Sequence, residues 1–245
     1  MKKAIFLDFD GVLFDTVKES FAVTEFASNK IKSIKDLDFQ GKRYKLFAKY
    51  RYLIGPAWNY FYLSKLIDVR AKNRINIEQE YEKLLKKRKK IDYRNFELDF
   101  FNIRDYLIRN YEKFWLSLNI PYNFFYQLID IIKKNQNLFF IITTKNKNTI
   151  KKILRHYKVN ISNKRIFGKF DFDIHRSKKK ILDEIIKKYK ISRGIYIDDN
   201  RGHLDACKNN KEIETLQPNW GYIKKSDYIN NEKEILLKIK KFIMI

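Results

Sequence analysis

Cysteine, proline, glycine and acid are all scarce in this chain. Among 245 residues there are 1 Cys, 3 Pro and 7 Gly. A lone thiol, Cys207, excludes an internal disulfide and any thiolate metal cluster, which suits a reducing, cytoplasmic setting. No apolar run approaches the roughly 20 residues needed to cross a bilayer, so no transmembrane segment is expected. Met1-Lys2-Lys3 before Ala4-Ile5-Phe6-Leu7 imitates the start of a signal peptide, but Asp8 ends that run far too early. Acid is short as well, with 29 Asp and Glu against 53 Lys and Arg for a formal net charge of +24. Such an excess points to anionic partners, whether phosphate esters, nucleic acid or an acidic membrane face. Its lysines, however, are scattered among abundant Asn, Ile, Tyr and Phe, the signature of a base-composition bias. Solvated helix faces are therefore the preferred explanation, and a nucleic-acid partner is not favoured.

What the chain does have is concentrated at its start, in MKKAIFLDFDGVLFD. The apolar run Ala4 to Leu7 breaks off at Asp8, Phe9, Asp10 and Gly11, the pattern of a buried strand that delivers carboxylates to a loop. Alternate residues of an extended segment point the same way, so Asp8 and Asp10 face one site while Phe9 turns into the packing. Two adjacent carboxylates repel; at neutral pH they share a proton or hold a hard cation such as Mg²⁺. Gly11 lets the backbone turn where a substrate has to come close. A second Asp-x-Asp, Asp171 and Asp173, has no such strand before it and reads as a surface loop.

The stretch Asp8-Phe-Asp-Gly-Val-Leu-Phe-Asp-Thr16 resembles the first motif of the haloacid dehalogenase-like phosphohydrolase superfamily, and three later segments resemble the others in order. Phe-Phe-Ile-Ile-Thr143-Thr144-Lys145 is similar to the second. A lysine ahead of a helix, Lys178 with Lys179 and Lys180 as rivals, is similar to the third. Gly-Ile-Tyr-Ile-Asp198-Asp199 is similar to the fourth, and Trp220-Gly221-Tyr222 resembles a segment of the phosphoglycolate phosphatase-like branch.

The resemblance implies that Asp8 is a nucleophile, Asp10 a general acid/base, and that Thr143 and Lys178 hold the phosphoryl oxygens. It implies further that Gly11, Thr144 and Lys145 bind substrate, and that Mg²⁺ sits on Asp8, the Asp10 main-chain carbonyl and Asp199, with Asp198 assisting or orienting. The expected activity is hydrolysis of a small phosphomonoester; a sugar-phosphate mutase, a phosphonate hydrolase and a non-catalytic polyanion-binding protein are the alternatives. One departure stands out: where the family often has a further Asp four residues after the metal-binding acid, this chain has His203.

The length accommodates a full core and a smaller second unit. Thr16 to Leu118 has only Pro56, Gly41 and Gly55 as breakers, and Ile77–Lys90 and Asp99–Trp115 repeat apolar residues at helical spacing. These residues, 16–118, read as one helical cap inserted between the first and second motifs. The aromatic, basic run Gln40–Tyr62 within it reads as core, with an anionic-substrate cradle as the alternative. From residue 119 strands and helices alternate: helix Pro121–Ile132, strand Leu138–Ile142, helix Thr149–Tyr157, strand Arg165–Phe167, helix Lys178–Tyr189, strand Gly194–Ile197, helix Gly202–Asn209 and strand Glu214–Gln217. Residues 1–15 and 119–245 thus predict an α/β core, a Rossmann-like doubly wound parallel sheet, with Asp8, Thr143 and Asp198-Asp199 converging at the carboxyl ends of its strands. The tail, Asn231 to Ile245, predicts an amphipathic helix that docks on this core, with an anionic membrane face as the alternative.

Overall fold

The structure is a computed structural model that describes residues 2–224 and 230–244. Met1, at the head of the first motif's strand, and Ile245, at the end of the tail helix, lie outside the described residues. The chain divides into two compact units, residues 1–15 with 120–245 and residues 16–119.

The first unit is built on a parallel sheet of five strands: β1 Lys3–Leu7, β4 Phe139–Ile142, β5 Ile166–Phe167, β6 Arg193–Ile197 and β7 Ile213–Leu216, in spatial order β5-β4-β1-β6-β7. Two further short strands, β2 Phe14–Asp15 and β3 Ile120–Pro121, pair antiparallel beside it. Every neighbouring pair in the large sheet is parallel, with Leu7 opposite Ile141 on one side and Ile197 on the other. Chain order runs outward from β1 to β5 and then restarts at β6, so the switch in direction falls beside β1. In sheets of this topology that switch point, at the carboxyl ends of the strands, is where ligands bind.

Strand faces alternate, and both are buried. Ala4, Phe6, Phe140, Ile142 and Tyr196 pack against Ile181, Leu182 and Ile185 of α10 (Lys178–Tyr189) and Leu204 of α11 (Arg201–Asp205). Ile5, Leu7, Ile141, Ile195 and Ile197 point the other way and are equally buried. That leaves α7 (Asn123–Lys134), α8 (Lys147–His156) and α12 (Glu232–Met244), each with a buried apolar face, for the opposite side. The fold is the expected doubly wound α/β sheet. In α12, Ile235, Leu236, Ile239 and Phe242 are buried at roughly 1.5–3 kcal/mol each, which favours docking over a membrane surface. Among the described residues no helix is long and apolar enough to cross a membrane.

The second unit is helical: α1 Val17–Ala27, α2 Lys42–Lys49, α3 Asn59–Lys72, α4 Ile77–Lys87, α5 Lys90–Asn110 and α6 Glu112–Ser117. Phe47, Tyr50, Tyr60 and Tyr62 are buried and serve as core, while Tyr44, Tyr52, Trp58 and Phe61 of the run Gln40–Tyr62 are half-buried.

Three local expectations need correction. Pro121 does not open a helix: Pro121 pairs with Phe14 in the short ribbon, Tyr122 stays extended, and α7 begins at Asn123. Asp171 and Asp173 do not lie in a loop but in α9 (Lys169–His175), where Asp171 accepts from the Gly168 N–H at 2.8 Å and Asp173 pairs with Lys169 one turn earlier. Finally, the helical spacing from Asp99 to Trp115 does not belong to one helix: α5 (Lys90–Asn110) is capped at Tyr111, and α6 (Glu112–Ser117) begins after it.

Candidate active site

Each site residue sits where the sheet ends. Leu7 is the last residue of β1, and the Asp8 N–H still donates to the Ile197 carbonyl of β6 at 2.9 Å, which ties the first acid to the neighbouring strand. Beyond it the chain turns: Gly11 has φ +85°, and its N–H donates to the Phe14 carbonyl at 2.8 Å. On the far side Asp198 and Asp199 follow directly on β6. Thr143 follows β4, with its N–H donating to the Phe167 carbonyl of β5 at 3.0 Å.

Lys178 joins two of these acids. It is the first residue of α10, buried, and its Nζ lies 2.7 Å from Asp8 Oδ2 and 2.8 Å from Asp198 Oδ2. Of the three candidate lysines it alone turns inward, since Lys179 pairs with Asp183 at the surface and Lys180 is exposed. Lys145, also buried, puts Nζ 3.2 Å from Asp10 Oδ1, and its N–H donates to Thr143 Oγ1 at 3.3 Å. Thr144, between them, is half-buried. The two acids of the first motif therefore hold different lysines.

Charge and burial set the electrostatics. Burial raises the Asp8 carboxyl from 3.8 to about 6; Lys178 opposes that shift, and the nearby Asp198 and Asp10 add to it. Asp198, although buried, is held below the ordinary carboxylate range by Lys178 and His203. The Lys178 ammonium is raised despite its burial, because Asp198 and Asp8 both stabilise the charged form.

Around Asp198 the sequence singled out His203 but not Tyr196 or Asn200. Tyr196 donates its hydroxyl to Asp198 Oδ2, the Asn200 N–H donates to Asp198 Oδ1 at 2.9 Å, and His203 Nδ1 lies 3.2 Å from Oδ2. Tyr196 was legible in principle, because a residue two before Asp198 shares its face of the strand. The Tyr222 N–H donates to Asp199 Oδ2 at 2.7 Å, a backbone contact that no side-chain pattern announces.

The donor set suits a hard divalent cation. One carboxylate oxygen from each of Asp8, Asp198 and Asp199 lies within 4.8 Å of the others, and all three residues are buried. Three carboxylate oxygens gathered in a buried cluster are the hard donors that Mg²⁺ prefers. Asp198 already accepts from four groups, so Asp8 and Asp199 are better placed as ligands, with Asp198 orienting Lys178. The Asp10 side chain is turned to Lys145 instead.

A family model described as haloacid dehalogenase-like hydrolase matches residues 2–210. No curated protein matches the chain. Among solved structures it is similar to a predicted phosphatase from Clostridium acetobutylicum, 17% identical over 100% of both chains with a TM-score of 0.58. It is also similar to a predicted phosphoglycolate phosphatase from Haemophilus somnus 129pt, 14% identical over 98% of both chains with a TM-score of 0.63. A hydrolase from Pseudomonas syringae is 14% identical over 97% of this chain and 98% of its own, with a TM-score of 0.56.

Proposed function

The chain belongs to the haloacid dehalogenase-like hydrolases, and from that premise we propose that it is a Mg²⁺-dependent phosphatase of small phosphomonoesters. The observation that carries this reading is the distribution of the two lysines. Lys178 holds the acid suited to attack, Asp8, and Lys145 holds the acid suited to move protons, Asp10.

An Asp8 carboxylate oxygen forms a bond to phosphorus while the bond from phosphorus to the ester oxygen breaks, which gives an aspartyl-phosphate and an alcohol. Asp10 protonates the departing oxygen and later takes a proton from the attacking water. That water breaks the bond between Asp8 and phosphorus and releases inorganic phosphate. Lys178 and the Thr143 hydroxyl hold the phosphoryl oxygens, where positioning and electrostatics supply most of the rate. Gly11, Thr144 and Lys145 complete the substrate-binding loop. Asp8 and Asp199 would hold a divalent cation, which would supply charge neutralisation between an anionic nucleophile and an anionic ester. The helical insertion is assigned the role of a cap that selects the substrate.

The test is phosphate release from a panel of small phosphomonoesters, with Mg²⁺ and with chelator, for wild type and Asp8→Asn. The expected result is cation-dependent release that falls on the order of 10³-fold or more in the variant while its circular dichroism is unchanged. Turnover by folded Asp8→Asn at the wild-type rate would overturn the assignment.

A further inference from the structure

Beyond the matched residues 2–210 the chain returns to the site in an irregular segment, Gln217 to Tyr222, which the catalytic reading leaves without a task. Its contacts converge on one residue. Gln217 Nε2 donates to the Asp199 carbonyl at 2.9 Å, and the Tyr222 N–H donates to Asp199 Oδ2 at 2.7 Å. Backbone and carboxylate of Asp199 are thereby held from both ends of the segment.

Between those two contacts the segment is pressed against the loop of the first motif. Trp220 Nε1 donates to the Val12 carbonyl at 3.0 Å, its ring packs 5.0 Å from that of Phe124, and the Tyr222 hydroxyl donates to Asp15 Oδ1 at 3.1 Å. At its outer end the Asn219 N–H donates to the Asn230 carbonyl and the Asn230 N–H to the Gln217 carbonyl, each at 2.9 Å.

At the centre two glycines meet. Gly221 has φ +90° and Gly11 φ +85°, both in the region that side chains disfavour. A Cβ on Gly221 would lie 2.2 Å from the Gly11 carbonyl oxygen and 3.0 Å from Asp199 Cβ; one on Gly11 would lie 2.0 Å from Asp199 Oδ2. The first of these collisions is with backbone, which no rotamer change relieves. Asp199 is wedged between the segment and the loop that carries Asp8 and Asp10, and its placement relative to Asp8 depends on how closely those two backbones approach.

We propose that Gln217–Tyr222 is a positioning strap that sets Asp199 against Asp8 and thereby determines the protein's affinity for a divalent cation. This rests on the metal reading given above. None of the strap residues needs to touch the cation; outer contacts that orient a ligand carboxylate typically change metal affinity by about 10–100-fold when lost.

The experiment is calorimetric titration of the full chain with Mg²⁺ and with Mn²⁺, the latter also followed by the Mn²⁺ resonance signal, for wild type, Gly221→Ala, Gln217→Leu, Trp220→Phe and Tyr222→Phe. Circular dichroism in chelator checks the fold of each. Gly221→Ala is expected to weaken cation binding about 10–100-fold. Gln217→Leu and Trp220→Phe weaken it by about threefold or more, while Tyr222→Phe, which keeps the amide donor, stays within about threefold of wild type. A folded Gly221→Ala protein with wild-type affinity overturns the proposal. Should that variant not fold, wild-type affinity in both Gln217→Leu and Trp220→Phe overturns it instead. If wild type binds neither cation, the strap and the metal reading fall together. If wild type binds and the variants weaken as stated, the strap stands even when no phosphomonoester is hydrolysed.

Discussion

Two buried networks of charge, one in each unit, are built on opposite plans. In the helical unit Glu19 of α1, fully buried, receives Arg104 Nε of α5 at 2.6 Å and Nη2 at 3.0 Å, and the Trp115 indole of α6 donates to the same carboxylate at 3.2 Å. One acid meets one base in a fork that matches its two oxygens, and three helices are pinned together. In the α/β unit Lys178 stands between Asp8 and Asp198, so two acids share one lysine, with Asp199 in the same buried cluster. A fork of this kind pairs the two oxygens of one carboxylate, whereas two acids around one lysine repel each other and are held together by the sheet and its loops. The second arrangement gathers three carboxylate oxygens within 4.8 Å of one another, a donor set that suits a hard cation, which is why chemistry is assigned there.

The sharpest way to break this contrast is to delete one member at a time and measure chemical denaturation. Arg104→Met strands a buried carboxylate and is expected to lose about 3–5 kcal/mol. Lys178→Met should lose a similar amount, because it leaves Asp8 and Asp198 facing each other. Asp8→Asn should unfold at the wild-type midpoint or above it, since it relieves like-charge crowding in a buried site. If Asp8→Asn were as unstable as Arg104→Met, the two networks would not differ in kind.

A smaller effect sharpens the same contrast. Mg²⁺ at about 100 times its dissociation constant should add roughly 2.7 kcal/mol to wild type, and chelator should remove it. Arg104→Met should gain the same increment, while Asp199→Asn should gain little. Equal gains in all three would place the cation away from the acidic cluster.

The smallest effect concerns Cys207, buried beside Leu204 and Ile213 in the core of the α/β unit. Burial pushes its thiol from 9.0 up to about 11, so at pH 8 it carries about a hundredfold less thiolate than an unshifted group. Native protein should resist alkylation at pH 8, and Lys178→Met should label faster than Arg104→Met if the acidic site opens first. Rapid labelling of wild type would contradict the burial of this face.

Strand ends were the most legible part of the site. Ala4–Leu7 and Gly194–Ile197 are apolar runs cut off by acids, and burial on both faces of a parallel sheet leaves no other use for such runs. Helix ends were less legible: residues 178–180 are three identical lysines, and only the docking of α10 turns the first inward. Least legible were contacts made by backbone, such as the Tyr222 amide on Asp199, because an N–H is common to every residue but proline.

By itself, then, the sequence determined the order of the strands along the chain, the acids placed at their ends and the helical character of the insertion, since these follow from local periodicity and from where apolar runs stop. Only the tertiary structure decided which lysine meets which acid, that His203 and Tyr196 brace Asp198, and that two glycines 210 positions apart let one backbone press against another. Those are contacts between segments distant in sequence, set by how helices dock on the sheet, and no local pattern encodes them.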